Sequence, residues 1–162
     1  MKAITFLKVI LIMALTFVTF GATAETTLER IKRTGKVTVG TEAAFPPFEF
    51  VENGKIVGYG KDILDYIIAD LGVELVQLDL PWQGILPGVL AGKFDFVATT
   101  VSVRPKRAKT YAFTVPIAEG TSWLMKRKGD TSIMSVDDVA GKIIAAQLGS
   151  GGQAAAEDWE KD

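Results

Sequence analysis

From residue 36 onward the chain alternates short β-rich runs with stretches whose apolar residues recur at helical spacing, and few architectures accept that order. Strand character falls at 36–40, 73–80, 94–98, 121–125 and 142–147. Between the first two, Ile63, Leu64, Ile67, Ile68 and Leu71 mark one face of a helix that Asp62 can cap and Gly72 can stop. A second helix follows Trp82, with Pro87 tolerable in its first turn and Gly92 at its end. Shorter helical stretches are expected at 28–34, from Pro105, from Ser135 to Val139, and from Gln153 onward. Asn53-Gly54 sits between the extended runs 48–51 and 56–59, and because both residues tolerate positive φ a hairpin is expected there. Phe48 and Phe50 share one face of that hairpin and read as core. The expected fold is an α/β sheet.

The N-terminus has a different grammar. Lys2 and Lys8 precede an uncharged apolar run, 9–20, and Ala22-Thr23-Ala24 follows as a small-residue cleavage site. The run is short of the ~20 residues that a spanning helix needs, so it reads as a signal peptide cleaved after Ala24 and places the protein in the periplasm. Loss of Lys2 and Lys8 would leave 16 Lys/Arg against 19 Asp/Glu, a formal charge of -3.

Charge and missing residue types narrow the function. Arg104, Lys106, Arg107 and Lys109 lie close together, yet the pI is about 5.6 and the remaining cations are dispersed. Nucleic-acid binding lacks its electrostatic footprint. With no cysteine there is no disulfide framework or thiol nucleophile, and with no histidine the commonest general base and zinc ligand are gone. Neither Gly-x-Gly-x-x-Gly nor a Lys-Ser/Thr phosphate loop is present. No metal or cofactor is expected.

Ligands of open α/β sheets bind outside the carboxyl ends of the strands. Four features fall at such ends: Thr41-Glu42, Trp82, the 99–102 run with Arg107, and Gly149-Ser150-Gly151. Together they offer a guanidinium fork, hydroxyls, a carboxylate and flat apolar surface. A small, zwitterionic or anionic, partly apolar ligand fits that chemistry.

Three segments, VGTEAAFPPFEFVENGKIVGY, GVLAGKFDFVATTVSVRPKRAKTYAFTVPI and SVDDVAGKIIAAQLGSGGQAA, occur in this order and span nearly the whole chain after residue 24. In them the chain resembles the periplasmic solute-binding proteins of polar amino-acid ABC transporters, the bacterial extracellular solute-binding proteins of family 3. The resemblance implies a periplasmic-binding-protein-like α/β fold of type II, with two lobes that close on an amino acid or similar solute and deliver it to an inner-membrane permease. It implies that Arg107 grips the ligand α-carboxylate and that Thr100 and Ser102 contact its ammonium and carboxylate. Phe45 and Trp82 match the aromatics that sandwich the ligand side chain, Glu42 stands where an aspartate is common, and Ser150 and Gly151 match a second-lobe loop whose amides meet the carboxylate.

The chain departs from the family pattern in three places. Arg104 stands where a threonine is usual, so that either arginine could hold the anion. Gly151 replaces a common hydroxyl residue, and Gly60-Lys61 interrupts a usually acidic stretch. Each assignment also has a plainer reading: Arg107 on a solvated helix face, Phe45 and Trp82 as core rings, Glu42 as a surface acid, Gly149 to Gly152 as a turn. The expected domains are the signal peptide, 1–24, a first lobe, 25–115, lacking its C-terminal return, and the incomplete start of a second lobe, 116–162. With so little of the second lobe, the chain is expected to bind its solute weakly. A periplasmic dehydratase of the cyclohexadienyl (prephenate/arogenate) type on the same fold is the alternative function, and a receptor sensor domain a lesser one.

Overall fold

The computed structural model describes residues 24–160. All but the last residue of the expected signal peptide therefore lie outside the described residues, in which no helix is long and apolar enough to cross a membrane.

Helix α1 (Thr27–Thr34) opens on a capping box, in which the Thr26 hydroxyl accepts from the Glu29 amide and the Glu29 carboxylate accepts from the Thr26 amide. Gly35, at φ 66°, ends it and turns the chain into β1 (Lys36–Thr41). Strand β1 is the centre of a parallel sheet. It pairs with β5 (Glu74–Asp79) along its whole length, from Lys36 opposite Glu74 to Thr41 opposite Asp79, and with β6 (Phe96–Val97) on its other side. Helix α2 (Tyr59–Leu71) connects β1 to β5 and helix α3 (Trp82–Leu90) connects β5 to β6, the crossover arrangement that parallel strands require.

Both faces of β1 are covered. On one, Val37 and Val39 pack with Ile31 of α1 and Leu64 of α2. On the other, the Phe94 ring lies between β1 and α3, where Gly40 and Gly88 make room for it. A Cβ on either glycine would sit 2.6 Å from a ring carbon. The expected helix register is right in kind but shifted: α2 begins at Tyr59 after Gly58, so Asp62 is in its first turn rather than at its cap. Pro87 falls inside α3 instead of in its opening turn, and Trp82 is the first residue of that helix.

The hairpin forms as expected. Strands β3 (Glu49–Glu52) and β4 (Lys55–Val57) flank Asn53 and Gly54, both at positive φ, and a short β2 (Ala44–Phe45) adds to β3 on its outer side. Its inward residue is not an aromatic one. Glu49 is 2% exposed while Phe48 and Phe50 are only half-buried, so the reading of those two rings as core is corrected.

Helix α4 (Pro105–Ala108) starts on Pro105 as expected, and a 3-10 turn (Val136–Val139) is capped by Ser135 with Asp138. The strands expected at 121–125 and 142–147 do not form. Backbone groups of a strand need a neighbouring chain to bond, and here Trp123, Met125 and Ile143 stand 83%, 91% and 102% exposed. The last element is α5 (Gly151–Trp159), whose N-cap Ser150 accepts from the Gln153 amide.

Candidate functional site

The carboxyl ends of β1, β5 and β6 meet in a web of hydrogen bonds that sets the loops beyond them. The buried Thr41 hydroxyl donates to the Ala98 carbonyl at 2.9 Å and accepts from Gln77 Nε2 at 2.9 Å. Asp79 accepts from the Ala43 amide at 2.9 Å. Each bond ties the end of one strand to its neighbour, so Glu42, Trp82 and the 99–102 segment leave the sheet from fixed points.

Glu49 fixes the third of these. Its carboxyl accepts from the Thr99 hydroxyl at 3.2 Å, the Thr100 amide at 3.2 Å and the Thr100 hydroxyl at 2.9 Å, and it lies against the first turn of α2 at Gly60. A Cβ at position 60 would collide with the Glu49 carboxyl as it is placed here. Burial raises the Glu49 pKa above its ordinary value, and the three hydrogen bonds offset only part of that rise.

Beyond this segment α4 presents Arg107. Its Nη1 donates to the Ser102 carbonyl at 3.0 Å and its Nη2 to the Gly149 carbonyl at 2.8 Å, with the guanidinium 5.4 Å from the centroid of the Trp82 ring. Trp82 is itself 8% exposed, so it serves as core and as the floor under Arg107 at once. Burial, then the neighbouring charge of Arg104, lowers the Arg107 pKa. Arg104 Nη2 donates to the Gly151 carbonyl at 2.7 Å. A Cβ on Gly151 would lie 2.9 Å from that same nitrogen. The two departures from the family pattern thus touch each other: the guanidinium of Arg104 takes the space of a side chain at 151. Gln147 Nε2 donates to Glu42 at 2.7 Å, a further bond between the two ends of the chain.

The structure therefore gathers Glu42, Trp82, Ser102, Arg107, Ser150 and Gly151 around the carboxyl edge of the sheet, with Arg104 beside them. The Thr100 hydroxyl is engaged by Glu49. Phe45 stacks on Phe48 with ring centroids 5.5 Å apart, and Phe48 meets Tyr59 edge-on. Sequence reasoning missed Glu49, Gln77, Asp79 and Gln147. Only Glu49 carried a signal, as an acid alternating with two aromatics in a strand.

No group of three or more acidic side chains among the described residues is placed to hold a metal. A cleft of about 410 Å³ at the opposite end of β6, lined by Thr27, Arg30, Lys93 and Asp95 among others, is spanned by the Arg30–Asp95 ion pair. The carboxyl edge carries instead a set of donors and a flat ring, on an α/β fold of the type II periplasmic-binding-protein class.

The chain belongs to the bacterial extracellular solute-binding proteins, family 3, whose family model matches residues 37–158. A Haemophilus influenzae protein (strain ATCC 51907 / DSM 11121 / KW20 / Rd), "Probable amino-acid ABC transporter-binding protein", is 29% identical over 163 residues, covering 100% of this chain and 60% of its own length. The chain thus spans about three fifths of that relative. Among solved structures, the ancestral amino acid-binding protein AncCDT-1, a precursor of cyclohexadienyl dehydratase, superposes with a TM-score of 0.73 at 32% identity, over 83% of this chain and 61% of that one. The arginine-bound form of domain 1 from TmArgBP superposes with a TM-score of 0.52 at 41% identity, over 54% of this chain and 70% of that one.

Proposed function

We propose that this protein binds an amino acid or similar small carboxylate solute outside the cytoplasm and delivers it to an ABC transporter permease, with no chemical step of its own. The observation that carries this reading is the convergence of Arg104 and Arg107 on the 149–151 loop. Their acceptors are neutral carbonyls, and none of the ion pairs among the described residues involves either arginine. Two guanidiniums, that of Arg107 over the Trp82 ring and that of Arg104 beside the start of a helix, are a ready receptor for a carboxylate.

In this reading Arg107 holds the α-carboxylate, Ser102, Ser150 and Gly151 supply further polar contacts, and Glu42 faces the ammonium. Thr100, held by Glu49 through its hydroxyl and amide, positions the 99–102 segment, and Phe45 walls the slot. Residues 25–115 form the first lobe and 116–162 begin a second, after a signal peptide that is cleaved at Ala24 and delivers the chain to the periplasm. The relatives support it: AncCDT-1 is itself described as amino acid-binding despite its dehydratase descendants, and domain 1 from TmArgBP is described in an arginine-bound form.

Calorimetric titration of the purified chain with a panel of amino acids tests the proposal. Arg107→Ala is expected to weaken binding measurably, by up to the ~1.5–3 kcal/mol that a hydrogen bond to a charged group is worth. Turnover of prephenate by the same preparation, or retained affinity in Arg107→Ala, would overturn it.

A further inference from the structure

The site at the sheet edge carries more positive charge than one carboxylate can balance. Arg104 and Arg107 point at carbonyls two residues apart, on Gly151 and Gly149. Both are half-buried, and most of the N–H groups on their forks are not used by these bonds. Helix α5 adds its N-terminal amides from the far side of the loop. The negative groups next to this cluster are few. Glu42 stands at the Gln147 end of the loop and Glu49 is engaged with Thr99 and Thr100 beneath it, and among the described residues neither forms an ion pair with Arg104 or Arg107. Burial first, and then the nearby charge of Arg104, lowers the Arg107 pKa, in keeping with two guanidiniums held close to the same loop.

A ligand with one carboxylate and one ammonium satisfies Arg107 and Glu42 and leaves Arg104 unbalanced. We infer that the ligand carries a second acidic group, and that this protein selects dicarboxylic amino acids, with Arg104 holding the side-chain carboxylate while Arg107 holds the α-carboxylate. The inference rests on the amino-acid-binding reading above and narrows it. A carboxylate accepts charge-assisted bonds from the Arg104 fork, whereas an amide in its place offers a neutral oxygen and an NH₂ group that meets a cation. A cationic side chain would be repelled outright.

The test is calorimetry on the purified chain with L-glutamate, L-aspartate, L-glutamine, L-asparagine and L-arginine. L-glutamate or L-aspartate is expected to bind at least about tenfold more tightly than its amide, a ratio equal to ~1.4 kcal/mol. In Arg104→Ala that acid-to-amide ratio should fall to near one, whatever happens to affinity overall, and Arg104→Lys should restore part of it because the charge returns without the fork. A wild-type chain that takes glutamine, asparagine or arginine as tightly as the acids would overturn the inference while leaving the amino-acid reading in place. So would an Arg104→Ala variant that keeps the acid-to-amide ratio. Failure of the wild-type chain to bind any of the five would sink the amino-acid reading and this inference with it.

Discussion

Removing the Glu49 side chain should loosen the site from below. In Glu49→Ala three donors lose their acceptor together: the Thr99 hydroxyl, the Thr100 amide and the Thr100 hydroxyl. The two hydroxyls can rotate toward other partners, but the amide cannot. At about 1 kcal/mol for each bond, the loss comes to roughly 3 kcal/mol, a large share of the stability of a domain this size. Glu49→Gln keeps one acceptor oxygen for Thr99 and the Thr100 amide and turns its NH₂ toward the Thr100 hydroxyl, which reverses its role from donor to acceptor. That variant should cost no more than about 1 kcal/mol. The pH dependence has a definite sign. Burial raises the Glu49 pKa above 4.5, so the folded chain holds this proton more tightly than the unfolded one. The stability that Glu49 contributes is therefore full below 4.5 and is lost as pH rises through the folded value. Glu25, Glu29, Asp130 and Asp138 run the other way, held low by bonds from Arg33, Thr26, Ser132 and Met134, and lose their contribution only as pH falls. Urea unfolding at a series of pH values, followed by tryptophan fluorescence, separates the two. The decline in stability on the alkaline side of 4.5 should be present in the wild type and absent from Glu49→Gln. Equal destabilisation by alanine and glutamine, or a glutamine variant with the wild-type slope, would refute the reasoning.

Other substitutions probe the frame around the site. Gly40→Ala drives a Cβ into the Phe94 ring between β1 and α3, and thermal unfolding should show a loss of ~1–3 kcal/mol. Asp95→Ala strands the Thr38 amide, which donates to Asp95 at 2.9 Å, and removes the partner of Arg30. Because Arg30 is part-exposed, most of the expected loss of about 2 kcal/mol comes from the orphaned amide, read by urea denaturation. Lys106→Ala and Lys109→Ala, on the exposed side of the same basic run, should leave both stability and solute affinity within about 0.5 kcal/mol of wild type, measured by the same two assays.

The parts legible in the sequence are those that local chemistry decides. Gly72 marks a helix end because caps are satisfied within a few residues, and Asn53-Gly54 marks a hairpin for the same reason. The alternation of strand and helix was enough to put Glu42, Trp82 and Arg107 at one edge of the sheet. What was hidden depends on contacts distant in sequence. The inward place of Glu49 is set by Thr99 and Thr100, fifty residues on, and no period-2 pattern can tell an acid that meets hydroxyls from one that meets water. Gly40 reads as a weak strand residue until Phe94 is placed against it. The runs 121–125 and 142–147 have strand composition, but composition supplies no neighbour, and without one Trp123 and Ile143 face solvent.

Bonds from the two arginines to the 149–151 loop also set the terms on which a ligand can enter. Each guanidinium is already hydrogen-bonded to a carbonyl, so a carboxylate that displaces it gains only the difference between a charged acceptor and a neutral one. Near the surface that difference is a fraction of the ~1.5–3 kcal/mol that a bond to a charged group contributes. One carboxylate replacing one carbonyl is thus a modest driver, whereas two carboxylates on one ligand collect the difference twice and offset the repulsion between the guanidiniums. Such an exchange requires the 149–151 loop to give way, against the hold of the Gln147–Glu42 bond. A ligand shifts such an equilibrium only by its differential affinity for the two arrangements, so, on the inference drawn above, a loop held by two arginines would favour the ligand that needs both.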